Sequence, residues 1–282
     1  MTTTGDQQRE TKPERWTGPM VWDGDYIKQK SDWISYLTKK DLATIWAAIK
    51  STKLSNKPIA NLTQLDFPFE DFGQRLLAIR DEILKGRGFG LIRGLPTNQW
   101  SHEDLMRAYW GIGAWLGNAV SQNAQGHLLG HVIDQRSILS GETRLYQTRQ
   151  AQPFHSDSCD VVGLLCLRKA KTGGISSIAS SAAIHNNLLE HDLQSLHQLY
   201  GIYQCDRYGE IPQGKLPHYP VRVFNRINGQ LVCCGMDPDI RSAQRLAEIP
   251  PLSAQQSRAL DTFQQAARKL SYRMTLELEI FS

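Results

Sequence analysis

The hydrophobic periodicity of this 282-residue chain changes near residue 127, and that change limits the possible folds more than any other feature. Before it, apolar residues recur every three to four positions. This spacing predicts amphipathic helices over 41–50 and 70–85, and a third helix that begins at Ser101 as its N-cap. The segment 89–96 reads as a short buried strand between the second and third helices. The first part of the chain is therefore predicted to be mainly helical.

After residue 127 the apolar residues occur in short runs of β type, separated by Gly, Pro and Asp. A helix over 181–199 interrupts these runs, and a last helix is predicted to start at Ser253. The end of the chain, 273–282, alternates like an edge strand. The pattern favours one domain in which helices pack around mostly antiparallel sheets. The predicted strands are 143–149, 161–168, 174–180 and 201–207, with a hairpin formed by 221–224 and 230–236.

Composition and charge exclude several classes of protein. The longest apolar run, 161–167, is far shorter than the roughly 20 residues of a membrane span. Residues 1–20 are polar and charged, lack the apolar region of a secretory signal, and are predicted to form a flexible tail. A net charge of +4 on scattered basic residues does not indicate nucleic-acid binding. Five cysteines without a C-x-x-C motif fit a reducing compartment, which predicts a cytoplasmic protein.

The motif His-x-Asp occurs twice, and its structural context separates the two copies. His102 and Asp104 fall in the first turn of a predicted helix, where residues two apart point in nearly opposite directions and cannot share an ion. His155 and Asp157 lie just before a predicted strand, where residues two apart project to the same side. Imidazole and carboxylate suit a divalent metal such as Fe(II). The alternative is a His and an Asp bonded to each other or to the strand backbone.

The segment FHSDSCDVVGLLCLRKAKTGGISSIASSAAIHN, over 154–186, resembles the taurine-dioxygenase-like (TauD/TfdA) group of Fe(II)- and 2-oxoglutarate-dependent dioxygenases. The resemblance extends over about 85–278 and includes VSQNAQGHLLGHV, EIPQGKLPHYPVRVF and DIRSAQR. It implies an α+β fold, a double-stranded β-helix (jelly roll) flanked by helices. The whole chain, 1–282, would form one such domain, with a mainly helical part over 21–120 and the jelly-roll part over 121–282.

The resemblance also assigns roles to residues. His155 and Asp157 would be two ligands of the 2-His-1-carboxylate triad that holds Fe(II). Ser176 stands where the family usually has a Thr that hydrogen-bonds the co-substrate 2-oxoglutarate. The remaining metal positions would accept 2-oxoglutarate and O2, and 2-oxoglutarate would be converted to succinate while a substrate is oxidised.

The family's distal histidine and the arginine that pairs with 2-oxoglutarate have no counterpart after His218. The jelly-roll part is therefore expected to be incomplete at its C-terminal end, and the chain as written to be weakly active or inactive. Other side chains of types that could take part in a site each read more readily as structural or surface residues. These are the histidines His185, His191, His197 and His218 as ligands, Arg241 as a substrate contact, Cys159 and Cys166 as core-strand residues, and Trp46, Trp110 and Trp115 as core.

Three functions remain open at this point. The first is an oxygenase that oxidises a small molecule, with secondary metabolism as one setting. The second is a catalytically inactive relative that binds a ligand or partner through its jelly roll. The third, a zinc hydrolase using His155 and Asp157, is disfavoured because no further ligand stands at a recognisable spacing. The expected partner is a small-molecule substrate, with no nucleic acid and no membrane, and the oligomeric state stays open.

Overall fold

The computed structural model describes residues 13–123, 125–132, 150–274 and 280–281. In its N-terminal half, helices alternate with two short strands that pair in parallel, Ile34 opposite Leu91. Two single 3-10 turns, Ile59–Asn61 and Gln64–Asp66, lie between the second and third helices. The other elements are α1 (Gly24–Lys28), β1 (Ile34–Tyr36), α2 (Lys39–Leu54), α3 (Glu70–Lys85), β2 (Leu91–Arg93) and α4 (His102–Leu116).

The three helices predicted for the N-terminal half are confirmed, and local chemistry explains where two of them begin. Thr38 caps α2 and forms a reciprocal capping box with Asp41. The Ser101 hydroxyl accepts from the Asp104 backbone N–H at the start of α4, as predicted. The apolar faces of α2, α3 and α4 share one core, in which Trp110 is buried while Trp46 and Trp115 are partly buried against it. No helix in the described part of the chain is both long and apolar enough to cross a bilayer.

The C-terminal half alternates short strands and helices. Its strands pair antiparallel: β3 with β10, β4 with β9, β5 with β6, and β7 with β8. In chain order its elements are β3 (Gly163–Leu164), β4 (Ser176–Ile178), α5 (Ser181–His191), α6 (Leu193–Leu199), β5 (Tyr203–Asp206), β6 (His218–Val221), β7 (Phe224–Ile227), β8 (Gln230–Cys233), α7 (Asp237–Ala243), α8 (Ala254–Leu270), β9 (Tyr272–Met274) and β10 (Ile280–Phe281).

The predicted hairpin is confirmed as β7 and β8. They are joined at Asn228 and Gly229, which have φ of 51° and 77°, the positive values that a two-residue hairpin turn of this kind requires. The last helix, α8, begins after Ser253 as predicted and carries a capping box with Gln256. The prediction of one continuous helix over 181–199 was wrong. Asp192 has a non-helical backbone (φ −151°, ψ 70°) and separates α5 from α6, and its side chain accepts from the Ser195 N–H.

The predicted strands over 161–168, 174–180 and 201–207 are present but shorter, at two to four residues each. The predicted strand 143–149 lies outside the described residues. Of the predicted C-terminal edge strand, β9 and β10 are described, and they pair with β4 and β3 respectively. The fold is therefore α+β as expected. Its described strands form two-stranded pairs, which do not by themselves establish a jelly roll.

Two further apolar clusters complete the interior. The larger one, which we call the C-terminal core, is built from α5, α6, β5, β7 and α8 around Phe224 and Leu196, both 0% exposed. The smaller one brings Trp22, Ile27, Trp33 and Phe89 against Met274 of β9. Residues from both halves of the chain therefore share one apolar cluster.

Residues 14–16 belong to the segment predicted to be a flexible tail, and they make long-range contacts with the rest of the protein. The backbone N–H and C=O of Trp16 both bond the Asn186 side chain, at 2.8 Å each. Arg15 pairs with Glu190, and Arg226 with Glu14. The two backbone bonds join residues that are 170 positions apart, and sequence periodicity does not reveal such contacts. They bind this segment to α5.

Candidate functional site

His155 and Asp157 lie in an irregular segment that precedes β3 by several residues rather than opening it. Their side chains are 34% and 56% exposed, while Ser156 between them is half-buried. His155 Nε2 lies 4.0 Å from Asp157 Oδ1. At this distance the two side chains project to the same side, as expected, although they lie in a loop and not in a regular strand.

The orientation of the His155 ring is defined by a second bond. Its Nδ1 lies 2.9 Å from the Pro153 carbonyl oxygen. A carbonyl only accepts, so Nδ1 carries the proton in the neutral ring and Nε2 keeps a lone pair. That lone pair is on the nitrogen nearer Asp157. Metal-binding histidines commonly use this arrangement, with the non-ligating N–H donated to a backbone carbonyl.

The segment around His155 is held on both sides by long-range hydrogen bonds. The Gln264 amide on α8 accepts from the Phe154 N–H (3.0 Å) and donates to the Phe154 carbonyl (2.7 Å). The Ser156 N–H donates to Gly235 O (3.2 Å), and its hydroxyl accepts from the Gly235 N–H (2.7 Å). The same hydroxyl lies 3.2 Å from the Cys233 carbonyl, to which it donates. We call residues 153–157 the HSD segment.

Sequence reasoning did not identify Gln264 or Ser156. One signal for Gln264 was present: it lies on the apolar face of α8, beside Leu260, Phe263 and Ala267, where a polar residue is unusual. Its partner, 110 positions earlier, carries no such signal.

The second His-x-Asp motif behaves as predicted. Asp104 turns into the protein, where its carboxylate is 2.6 Å from Lys53 Nζ. His102 instead stacks on His131, with ring centroids 5.7 Å apart. The two side chains point to different partners, so they do not form a metal pair.

The other histidines are engaged elsewhere or lie on the surface. His185 is 0% exposed, its Nε2 is 2.9 Å from the Tyr200 hydroxyl, and burial lowers its pKa to about 4. His218 is on β6, not in a loop, and its Nδ1 bonds Gln204 at 2.8 Å. His191 and His197 are exposed on α5 and α6. In the described ranges no three His, Cys, Asp or Glu side chains are grouped so as to hold a metal.

Ser176 begins β4, opposite Met274 of β9, and is half-buried. The hydrogen bonds of the described residues do not connect it to His155 or Asp157. Its role toward a co-substrate therefore stays a prediction.

The structure also shows the surroundings of three further candidates from the sequence, Arg241, Cys159 and Cys166. Arg241 bonds Asp237 (2.9 Å) and Asp261 (2.7 Å), so it joins α7 to α8 as a surface residue. Cys159 was predicted to be a core-strand residue, and this was wrong: it is exposed, because 158–162 is a loop. The same prediction was wrong for Cys166, which is half-buried and lies two residues after the end of β3.

The HSD segment fits part of a divalent metal site. It offers one imidazole nitrogen with a free lone pair and one carboxylate, both accessible. Two ligands about 2.1 Å from one ion and at right angles are about 3 Å apart, so the observed 4.0 Å is about 1 Å too wide. The exposed Asp157 side chain can close that gap by rotating, whereas the His155 ring is already oriented. The donor set suits Fe(II) or Mn(II).

Comparison with known proteins places the chain in a family. The family model described as "Taurine catabolism dioxygenase TauD, TfdA family" matches residues 51–279. The chain belongs to this family. The TauD/TfdA match includes the HSD segment and Ser176, and it confirms the resemblance seen in the sequence.

Two relatives agree with the TauD/TfdA assignment. The chain is 30% identical over 268 residues to FR-33289 synthase of Streptomyces rubellomurinus, which covers 93% of this chain and 78% of that protein. It is 27% identical over 263 residues to the taurine hydroxylase-like protein SAT17 of Stachybotrys chartarum, covering 89% of this chain and 67% of that protein.

Proposed function

We propose that this TauD/TfdA-family protein is an Fe(II)- and 2-oxoglutarate-dependent oxygenase that oxidises a small molecule in secondary metabolism. The observation that carries the proposal is the His155 ring, whose Nδ1 proton is donated to Pro153 and whose Nε2 is the nitrogen near Asp157. The similarity to a protein named as a synthase supports the biosynthetic setting. One jelly-roll domain and a cytoplasmic location belong to the same proposal.

Each site residue has a defined task in this proposal. His155 Nε2 and the Asp157 carboxylate would hold the metal, and the Ser176 hydroxyl would hydrogen-bond 2-oxoglutarate. When bound, Fe(II) supplies the site for O2 activation, with 2-oxoglutarate converted to succinate and CO2. The chain's own contribution is positional: Pro153 selects the His155 tautomer, and the bonds from Gln264 and Gly235 hold the segment in place.

Metal titration of matched variants tests the proposal. Mn(II) can stand in for Fe(II) because both accept nitrogen and oxygen ligands, and its binding is followed by the loss of its free-ion EPR signal. We expect His155→Ala and Asp157→Ala each to weaken Mn(II) binding at least about tenfold, since even outer-shell changes cost about 10–100-fold in metal sites.

His102→Ala is the matched control, because it removes the histidine of the other His-x-Asp motif. It is expected to bind Mn(II) like the unchanged protein. Equal losses in the two histidine variants, or a loss confined to His102→Ala, would contradict the assignment. Binding that is unaffected by all three changes would favour a site elsewhere in the chain.

A further inference from the structure

Gln264 is a buried amide whose two described hydrogen bonds both go to one residue of the HSD segment. It is 4% exposed on the inner face of α8, within the C-terminal core. Its Oε1 accepts from the Phe154 N–H and its Nε2 donates to the Phe154 carbonyl. The side-chain amide therefore pairs with the Phe154 backbone as a neighbouring strand would. A polar side chain in this core is costly unless both of its groups are bonded, and here both are.

We propose that Gln264 is a positioning residue that holds the His155 imidazole where a metal can bind, an inference that rests on the proposed function. Gln264 would not contact the metal. It would act through the backbone of the HSD segment, so that helix α8 sets the direction from which His155 approaches the ion.

The argument rests on the two peptide groups that flank the His155 Cα. The Phe154 carbonyl belongs to the peptide group before His155, and Gln264 bonds that oxygen at 2.7 Å. The Ser156 N–H belongs to the peptide group after His155, and it bonds the Gly235 carbonyl at 3.2 Å. With both peptide planes held, the φ and ψ of His155 are defined. The Nδ1 bond to Pro153, inside the same segment, then sets the ring.

The chemistry of the amide explains why a glutamine suits this position. Phe154 presents one donor and one acceptor, and an amide is complementary to both. An ionised Glu would keep the acceptor but lose the donor, and would place a negative charge against the Phe154 carbonyl. A protonated Glu restores the donor. A Leu removes both bonds and leaves the two part-buried backbone groups of Phe154 without this partner.

Three variants test this inference: Gln264→Leu, Gln264→Glu, and the control Gln265→Leu on the adjacent, exposed position of the same helix. At pH 8 we expect Gln264→Leu and Gln264→Glu to bind Mn(II) at least about tenfold more weakly than the unchanged protein. Gln265→Leu is expected to bind Mn(II) normally. In the metal-free proteins, hydrogen exchange of the Phe154 and Ser156 amides should be faster in both Gln264 variants.

Gln264→Glu also provides a pH readout that a general loss of stability does not produce. Burial raises the pKa of a carboxyl group, so this Glu is expected to become protonated as the pH falls from 8 towards 6. The ratio of its Mn(II) dissociation constant to that of the unchanged protein, measured at each pH, should then fall towards one. Effects of pH that are common to both proteins cancel in the ratio. This measurement tests the positioning role of Gln264 even if Gln264→Leu fails to fold.

The outcomes separate the inference from the proposed function. If the unchanged protein binds Mn(II) through His155 and the Gln264 variants bind it equally well at all pH values, the positioning role is wrong and the proposed function stands. A constant ratio for Gln264→Glu across the pH range also contradicts the positioning role. If the unchanged protein does not bind Mn(II) through His155, the proposed function fails and the inference fails with it.

Discussion

Replacing Asp206 with Ala is expected to lower the free energy of unfolding by about 3 kcal/mol. The Asp206 side chain is 0% exposed at the end of β5. Arg245 bonds it through Nε at 2.8 Å and Nη2 at 3.1 Å, and the Ser242 hydroxyl donates to it at 2.6 Å. Burial raises the pKa of Asp206, but the bonds from Arg245, Ser242 and the Tyr208 N–H outweigh it and leave the pKa below its ordinary value.

The loss is placed at the lower end of the range for a broken buried ion pair because Arg245 remains 38% exposed and can be solvated. Urea unfolding at pH 7 measures it. The matched control is Asp261→Ala, which removes an exposed carboxylate that pairs with Arg241 and should cost less than about 1 kcal/mol. Similar losses for the two variants would show that the Asp206 cluster does not stabilise the fold in this way.

The parts of the fold that could be predicted from the sequence are those determined by neighbouring residues. Ser101 and Ser253 begin helices because their hydroxyls accept from the backbone N–H group three positions later. The hairpin follows from Asn228 and Gly229, which accept positive φ. The break between α5 and α6 also has a local cause, because Asp192 is an N-cap whose side chain accepts from the Ser195 N–H. It was not predicted because the apolar periodicity continues through 181–199.

Apart from the hairpin of β7 and β8, strand pairing could not be predicted, because it depends on contacts between distant residues. β4 pairs with β9 through Ser176 and Met274, and β1 pairs in parallel with β2 through Ile34 and Leu91. Strands of two to four residues carry too little alternation to reveal their partners. The same limitation applies to Trp16, whose backbone is held by Asn186 from 170 positions away.

In the candidate site, too, a local pattern reveals some residues, whereas others depend on distant contacts. His155 and Asp157 could be found by pattern, since residues two apart in extended chain face the same side. Gln264 could not, because a glutamine on an apolar helix face indicates a buried hydrogen bond without indicating its partner. The residues that would bind a ligand were therefore recognisable, whereas the residue proposed to position them required the structure.

Lowering the pH from 7 to 5 is expected to reduce the free energy of unfolding by about 2 kcal/mol through His185 alone. His185 lies on α5, 0% exposed, and its ring meets those of Trp16, Tyr200 and Phe224 at centroid distances of 6.2, 5.9 and 5.3 Å. This apolar surrounding disfavours the charged ring, and burial lowers the pKa from 6.5 to about 4.

The sign of the effect follows from which state binds the proton. Between about pH 6.5 and pH 4 the unfolded chain protonates His185 and the folded chain does not. Stability therefore has its full value above pH 6.5 and falls as the pH decreases, until the folded state is protonated near pH 4. At pH 5, 1.5 pH units below the unfolded pKa, the difference amounts to about 2 kcal/mol. Asp206 adds little between pH 7 and pH 5, because its pKa is lowered in the folded state and the unfolded chain protonates it mainly near the ordinary value of 3.8.

The test compares urea unfolding at pH 7 and pH 5 for the unchanged protein, His185→Gln and His191→Gln. The first variant replaces the buried imidazole with an amide that does not titrate but can still bond the Tyr200 hydroxyl. The second removes an exposed histidine of the same helix. Because each variant is compared with itself at the two pH values, a fixed cost of substitution cancels. We expect His191→Gln to lose stability with pH as the unchanged protein does, and His185→Gln to lose about 2 kcal/mol less. Equal losses in all three proteins would mean that His185 is protonated in the folded state at pH 5, and therefore that the aromatic cluster around it admits a charge.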